Sequence, residues 1–413
     1  MNYKSILLKS IPNIQTYYLN IQKFFKDLFV FLRYLPGNSL IYGPPRGIYL
    51  NSNSYNGSFP KENIQEILLA SENEYLRVLP NTNSKLVKNK FEGFTKVKTF
   101  ERKVFILPKA RYLYGYGGTV ITKNDKIFLP CSPLKNEFYP KRHQSLYILK
   151  TPKRVKLDKV VLMDTLCSEI NYCHWLRDHV LRFFWLKSLN IDFAEYTLVS
   201  SIGGSSYHHY TYERLKSYGF NFKDYIATKE VGHFDCNELI VAPTLTPAFN
   251  TDFYGFLKEE WHFLRDVFVD RKDQPENKKR IFLSRRKSNR SSQDEVKLVK
   301  KLVDDYGFQE IFLENINVRD QANLFNNAEI VIGLHGAGFT NLCFCKPSTL
   351  VFEIFSPDFI VTDFWDIANQ MNLNYFAYCN DNYFKNITSY RLAREEPTKI
   401  DVDDFITFFL SKL

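Results

Sequence analysis

Ile330-Val331-Ile332-Gly333-Leu334-His335-Gly336-Ala337-Gly338-Phe339-Thr340-Asn341 is the stretch whose reading decides the fold. A short apolar run enters a group of small residues, and a helix-compatible segment follows. A parallel strand buried on both faces reads as such an unbroken run. Glycines beyond it let the backbone approach a ligand closely. The start of the next helix offers unpaired N–H groups and the positive end of its dipole. That geometry holds a diphosphate. The alternative is a tight turn that needs glycine only for packing.

The same alternation continues on both sides of this stretch. Strands are expected at 280–284, 310–313, 329–333 and 349–354, with helices at 293–306, at 319–327 and from 339. Upstream, strands at 160–163, 197–200 and 238–242 alternate with helices at 171–188 and 207–218. This is the pattern of parallel sheets covered by helices. The charged stretch 270–279 reads as a linker between the two sets. The expected fold is α/β: two doubly wound Rossmann-like units with a cleft between them, where ligands sit at the carboxyl ends of the strands. Segments 104–107, 118–122 and 126–129 suggest a meander of short strands, with Asn124-Asp125 as a turn. Apolar residues recur at helical spacing over 14–35, and 36–60 is rich in Gly, Pro, Asn and Ser. The expected organisation is therefore 1–60 as helix and linker, 61–275 as an acceptor-side unit and 276–413 as a nucleotide-sugar-binding unit with a terminal helix.

Composition sets the limits. A length of 413 residues fits two or three domains. Hydrophobic residues make up 45% and charged residues 24%, the balance of a globular protein. The net charge of +10 suits an anionic partner or a solvated basic surface. The basic residues are scattered and no nucleic-acid motif occurs, so nucleic acid is not an expected partner. No run of about 18 uncharged apolar residues exists, so no membrane span is expected. The 14–35 helix either lies in a membrane interface, aromatic face inward, or packs on the body. Seven cysteines include no C-x-x-C pair, and the chain starts without a signal-peptide pattern. A glycan on the sequon at Asn289 would block the basic loop described next. The expected location is cytoplasmic, with peripheral attachment to the inner face of the plasma membrane through 14–35. The terminal Ser411-Lys412-Leu413 is read as a helix end, not as an organelle address.

Four further groups carry candidate chemistry. Leu283-Ser284-Arg285-Arg286-Lys287-Ser288-Asn289-Arg290 leaves the first strand of the C-terminal set. Arg285 and Arg290 there can reach phosphate oxygens, for which a guanidinium fork is shaped. His174 and Asp178, in Asn171-Tyr172-Cys173-His174-Trp175-Leu176-Arg177-Asp178, are four apart and share a helix face. A carboxylate beside an imidazole orients a general base; the same pair can also merely stabilise a helix. Glu353 interrupts an apolar strand, where it can serve a ribose hydroxyl or a structural partner. Asp401-Val402-Asp403 looks like a metal-binding D-x-D, but its place at a helix start favours a structural role. No metal site is expected.

The ordered set N-Y-x-H-W-L-x-D, S-R-R-x-x-x-R, H-G-A-G-F-T-N and V-F-E-I resembles glycosyltransferase family 61 over roughly residues 100–380. The chain departs from the family at Ser291-Ser292-Gln293-Asp294, where apolar residues and then Asn-Glu usually stand. The resemblance implies a GT-B fold, an inverting mechanism, no cofactor and no essential metal. It also implies a nucleotide-sugar donor, usually UDP-linked, and a glycan or lipid-linked glycan acceptor, with surface or capsular polysaccharide as the product. Arg285, Arg290, His335, Gly336, Ala337, Gly338, Thr340, Asn341 and Glu353 are then the donor-side residues, and His174 with Asp178 the catalytic pair. Alternatives are a nucleotide-sugar epimerase or hydrolase on the same fold, or a non-catalytic binding protein.

Overall fold

The computed structural model describes residues 63–114, 118–132, 151–164, 171–201, 206–243, 255–270, 278–286 and 293–413, with 21, 24, 45 and 47–49. Apart from Ile21 and Phe24, the expected 14–35 helix lies outside these residues. So do Arg290, the sequon at Asn289 and positions 271–277 of the expected linker.

The described residues form a mixed α/β protein with several largely parallel sheets. The C-terminal sheet runs Gln309–Ile311, Lys279–Leu283, Ala328–Leu334, Leu350–Phe355, Asn374–Cys379 and Asn81–Thr82, all parallel. Its side chains alternate between two cores. Ile330 and Ile332 join Phe352, Leu298, Leu302 and Phe409 on one face, and Val331 joins Val351, Phe325 and Trp365 on the other. Helices Gln293–Tyr306 and Val402–Leu410 cover the first face, and Val318–Asn326 and Asp363–Gln370 the second. This is doubly wound cover, as expected from strands that read as continuous apolar runs.

The other large sheet is ordered Asp224–Ala227, Thr197–Ser200, Lys159–Met163, Glu238–Val241, Arg102–Pro108, Gln65–Ala70. The first four strands are parallel and the last two antiparallel. Among the described residues its long helices pack on one of its faces. On the other, Val160, Leu162, Leu239 and Phe105 pack with Tyr112, Val120, Phe128 and Phe234 of a third, mixed sheet. The doubly wound expectation therefore fails for this sheet. Thr119–Ile121 and Lys126–Phe128, two segments of the expected meander, pair with each other and supply part of that cover together with Arg111–Leu113, which the sequence reading did not include; Asp125 makes the turn at φ 67°. Residues 104–107 belong instead to the large sheet, antiparallel to Glu238–Val241.

One buried cluster runs from Val161, Met163 and Leu198 to Ile281, Val331 and Val351. Helix Lys258–Phe268 lies in it, its Phe268 ring 5.8 Å from that of Phe344. Residues 75–78 are strapped to helix Asp363–Gln370. Arg77 Nε lies 2.9 Å from Asp366 Oδ1, with neither side chain exposed, and Trp365 Nε1 donates to Val78 O at 2.8 Å. Among the described residues no helix is long and apolar enough to cross a membrane.

Candidate active site

Strand order in the C-terminal sheet places Lys279–Leu283 beside Ala328–Leu334, while the strand that follows 279–283 in sequence lies on its far side. Such a reversal opens a crevice at the carboxyl ends of the two neighbours. A cavity of about 710 Å³ occupies that place. Leu283, Ser284 and Arg285 line it from one strand end, and Leu334, Gly336, Ala337 and Gly338 from the other. Tyr172 and Tyr207 reach it from the N-terminal half of the chain.

Arg285 is held at both ends. Its backbone N–H donates to Glu295 Oε1 at 2.6 Å, and Nη1 donates to the carbonyl of His335. Glu295 is buried, and burial raises its pKa above the ordinary range. Gly336 makes room for this guanidinium. A Cβ at 336 would stand 2.8 Å from Arg285 Nη1, whereas the backbone there is extended and suits any residue. The N–H groups of Gly336, Ala337 and Gly338 find no backbone acceptor among the described residues. The helix after them, Ala337–Phe344, is a tight three-residue-per-turn helix and not an α-helix.

The remaining donor-side candidates divide. Thr340 and Asn341 are fully buried and do not line the cavity. Thr340 Oγ1 donates to Ala337 O at 2.8 Å. Asn341 accepts from Tyr172 Oη at 2.6 Å and donates to Gln321 Oε1 at 2.8 Å. Gln321 in turn donates to the carbonyls of Leu313 and Ile316, which fixes the opposite wall. Thr340 and Asn341 thus support the walls of the cavity without lining it. Glu353 likewise does not line the cavity. It is fully buried, its Oε1 is 2.5 Å from His335 Nδ1, and its Oε2 accepts from Tyr375 Oη at 2.5 Å. The His335 ring is clamped among Phe355, Phe359 and Phe364 at 5.2–5.6 Å between centroids. His335 thus offers the cavity its carbonyl bond to Arg285, with its ring turned to Glu353. Asp401 caps helix Val402–Leu410 by accepting from Asp404 N at 3.1 Å.

The catalytic candidates lie next to Tyr172. Asn171 caps the helix start by accepting from His174 N at 3.2 Å. The helix then widens at Trp175–Val180 into a π turn, with Leu181 N bonded to Leu176 O. Such turns recur at functional sites. His174 Nδ1 is 2.5 Å from Asp178 Oδ2, and Arg177 Nε donates to Asp178 Oδ1 at 2.9 Å. Burial acts to raise the pKa of Asp178, but the Arg177 guanidinium and the bonds from His174 and Arg177 outweigh it. Its carboxyl is held well below the usual range. Asp178 is 3% exposed and His174 35%, so of this pair the imidazole is the part open to solvent. Arg177 also lies 3.8 Å from Asp363 of the C-terminal half. Among the described residues, no group of three or more His, Cys, Asp or Glu is placed to hold a metal.

Sequence reasoning missed Glu295, Gln321 and Tyr207, and gave Tyr172 no role although it stands in N-Y-x-H-W-L-x-D. Glu295 carried a signal of its own: a carboxylate on the buried side of helix Gln293–Tyr306.

The described residues thus form a mixed α/β protein with Arg285 and a glycine segment lining a switch-point cavity. Residues 172–352 match the family model described as glycosyltransferase 61. The match spans both ends of the cavity and stops short of the 100–380 range of the resemblance. A β-1,2-xylosyltransferase of Arabidopsis thaliana is 37% identical over 65 residues, 16% of this chain and 12% of its own length. An EGF domain-specific O-linked N-acetylglucosamine transferase of Drosophila melanogaster is 35% identical over 85 residues, 20% of this chain and 16% of its own. The chain thus aligns with less than a fifth of either relative.

Proposed function

We propose that the protein is an inverting glycosyltransferase that moves a sugar from a nucleotide-diphosphate donor, with uridine as the nucleoside, to a hydroxyl of a glycan or lipid-linked glycan. The observation that carries this reading is the shared cavity of Arg285 and the Gly336–Gly338 backbone inside the family 61 segment. With Asp178 ionised and bonded to Nδ1, Nε2 of His174 keeps its lone pair for a substrate proton. The acceptor hydroxyl gives its proton to that nitrogen. Its oxygen bonds to the anomeric carbon as the bond from that carbon to the phosphate oxygen breaks, with inversion. The departing diphosphate charge falls to Arg285 and the backbone N–H groups, the main electrostatic task of this reaction. A role in surface polysaccharide synthesis, at the cytoplasmic face of a membrane, completes the proposal.

Two measurements test it. A panel of nucleotide sugars screened by thermal shift must contain one that raises the melting temperature, because a ligand bound only to the native state stabilises it by mass action. Transfer from that donor is expected to persist in chelator, since side chain and backbone donors meet the phosphate charge. Loss of transfer in chelator, restored by manganese or magnesium, contradicts the mechanism.

A further inference from the structure

Arg285 and the glycine segment form one part of the switch-point cavity, and the turn after Gln309–Ile311 forms another. That strand is the second of the C-terminal βαβ set and runs parallel to Lys279–Leu283, so its turn leaves the same carboxyl edge as Arg285. The turn is firmly built. Asn315 N donates to Phe312 O and Ile316 N to Leu313 O, each at 3.1 Å, which closes a tight coil over Leu313–Asn315. Gln321, 8% exposed, donates to Leu313 O at 2.9 Å and to Ile316 O at 2.8 Å. The backbone on either side of Glu314 is thereby pinned. Leu313 also packs on the glycine segment, since a Cβ at Gly338 would stand 2.6 Å from Leu313 Cδ1. Glu314 is thus one residue away from a side chain that touches the candidate diphosphate loop.

Among the described residues that line the cavity, Glu314 alone carries a carboxylate. The carboxylates around it are committed elsewhere. Glu295 accepts from Arg285 N, Glu310 accepts from Arg286 Nε at 2.6 Å, and Glu353 is taken up by His335 and Tyr375. Glu314 is exposed and carries no hydrogen bond or ion pair among the described residues. A carboxylate turned toward a diphosphate repels it. Turned toward the ribose, the next unit of a nucleotide, it accepts from two neighbouring hydroxyls at once, and bonds to a charged acceptor are the stronger kind. Doubly wound units that bind dinucleotides place an acidic residue beyond the second strand for this purpose.

We infer that Glu314 accepts hydrogen bonds from the two ribose hydroxyls of the donor nucleotide, and that it selects ribonucleotide over deoxyribonucleotide donors. This rests on the glycosyltransferase reading and adds to it the sugar of the nucleoside, the part expected of Glu353 and left open by the burial of that residue.

Calorimetry with UDP, ADP, GDP and CDP, each beside its 2′-deoxy counterpart, tests the inference, with melting temperatures on the same preparations. The parent is expected to bind its ribonucleoside diphosphate about tenfold or more tighter than the deoxy form, the scale of a lost charge-assisted bond. Glu314→Ala is expected to bind the two forms alike. Glu314→Gln, which keeps an acceptor oxygen without the charge, is expected to retain a smaller preference than the parent. A parent that binds both forms equally overturns the inference, as does Glu314→Ala with the parent's full preference. If Glu314→Ala has lost melting temperature as well, Glu314→Gln decides, and the parent's full preference in that variant also overturns the inference. A parent that binds no nucleoside diphosphate overturns the glycosyltransferase reading itself, and this inference with it.

Discussion

Replacing His174 with alanine is expected to lower the transfer rate by roughly 100-fold or more, the scale of a positioned general base, with donor affinity nearly unchanged. The imidazole is the exposed end of a chain of contacts. Arg177 holds Asp178, and Asp178 holds Nδ1 of His174 at 2.5 Å. Asp178 cannot replace it, because that carboxylate is 3% exposed and stays ionised far below neutral pH. Asp178→Asn is expected to lower the rate by a smaller factor. It also carries a stability signature. The folded-state pKa is depressed, so the contribution of Asp178 is present above the unfolded carboxylate range and is lost as pH falls through that range toward the folded value. Parent and variant melting temperatures should therefore differ at pH 7 and converge in acid. Near-normal transfer by both His174→Ala and Asp178→Asn would place the base elsewhere.

Most parallel strands of both large sheets were legible because they are buried and read as apolar runs, but Asp224–Ala227 and Asn374–Cys379, which mix polar and aromatic residues, were missed. The pairing of Arg285 with the glycine segment was legible because both follow such apolar runs. What was lost lies in pairings that carry no period. Asn81–Thr82 extends the C-terminal sheet with two polar residues, and nothing local marks them as a strand. Glu353 stood out as a carboxylate among apolar neighbours, but its partner was not visible. Parallel register sets Gly333 beside Glu353, which brings His335, two residues on, to the carboxylate on the same face. Thr340 and Asn341 lie in the most distinctive motif of the chain, yet they turn inward, because Tyr172 and Gln321 come from distant segments to meet Asn341. A motif indicates that a place matters. Whether a side chain faces the ligand or supports the wall depends on contacts that sequence spacing does not carry.

Arg285→Ala is expected to weaken nucleoside-diphosphate binding by about 1.5–3 kcal/mol, the range for a bond to a charged group. Calorimetry with UDP and the other nucleoside diphosphates reads this directly. The argument depends on how firmly the guanidinium is placed. Glu295 fixes the backbone of Arg285, the His335 carbonyl fixes Nη1, and Gly336 leaves the space the group fills. A side chain held in this way loses little entropy when a phosphate arrives, so most of the charge-assisted bond is retained as affinity. Gly336→Ala tests the same placement from the other side. Its Cβ would press on Nη1 while the backbone angles stay allowed, so diphosphate affinity should fall and melting temperature should change little. Arg285→Lys separates shape from charge. A lysine keeps the positive charge without the fork and should recover only part of the loss. Unchanged affinity of Arg285→Ala for every diphosphate that binds the parent would remove Arg285 from the donor pocket, and the switch-point cavity would then need another ligand.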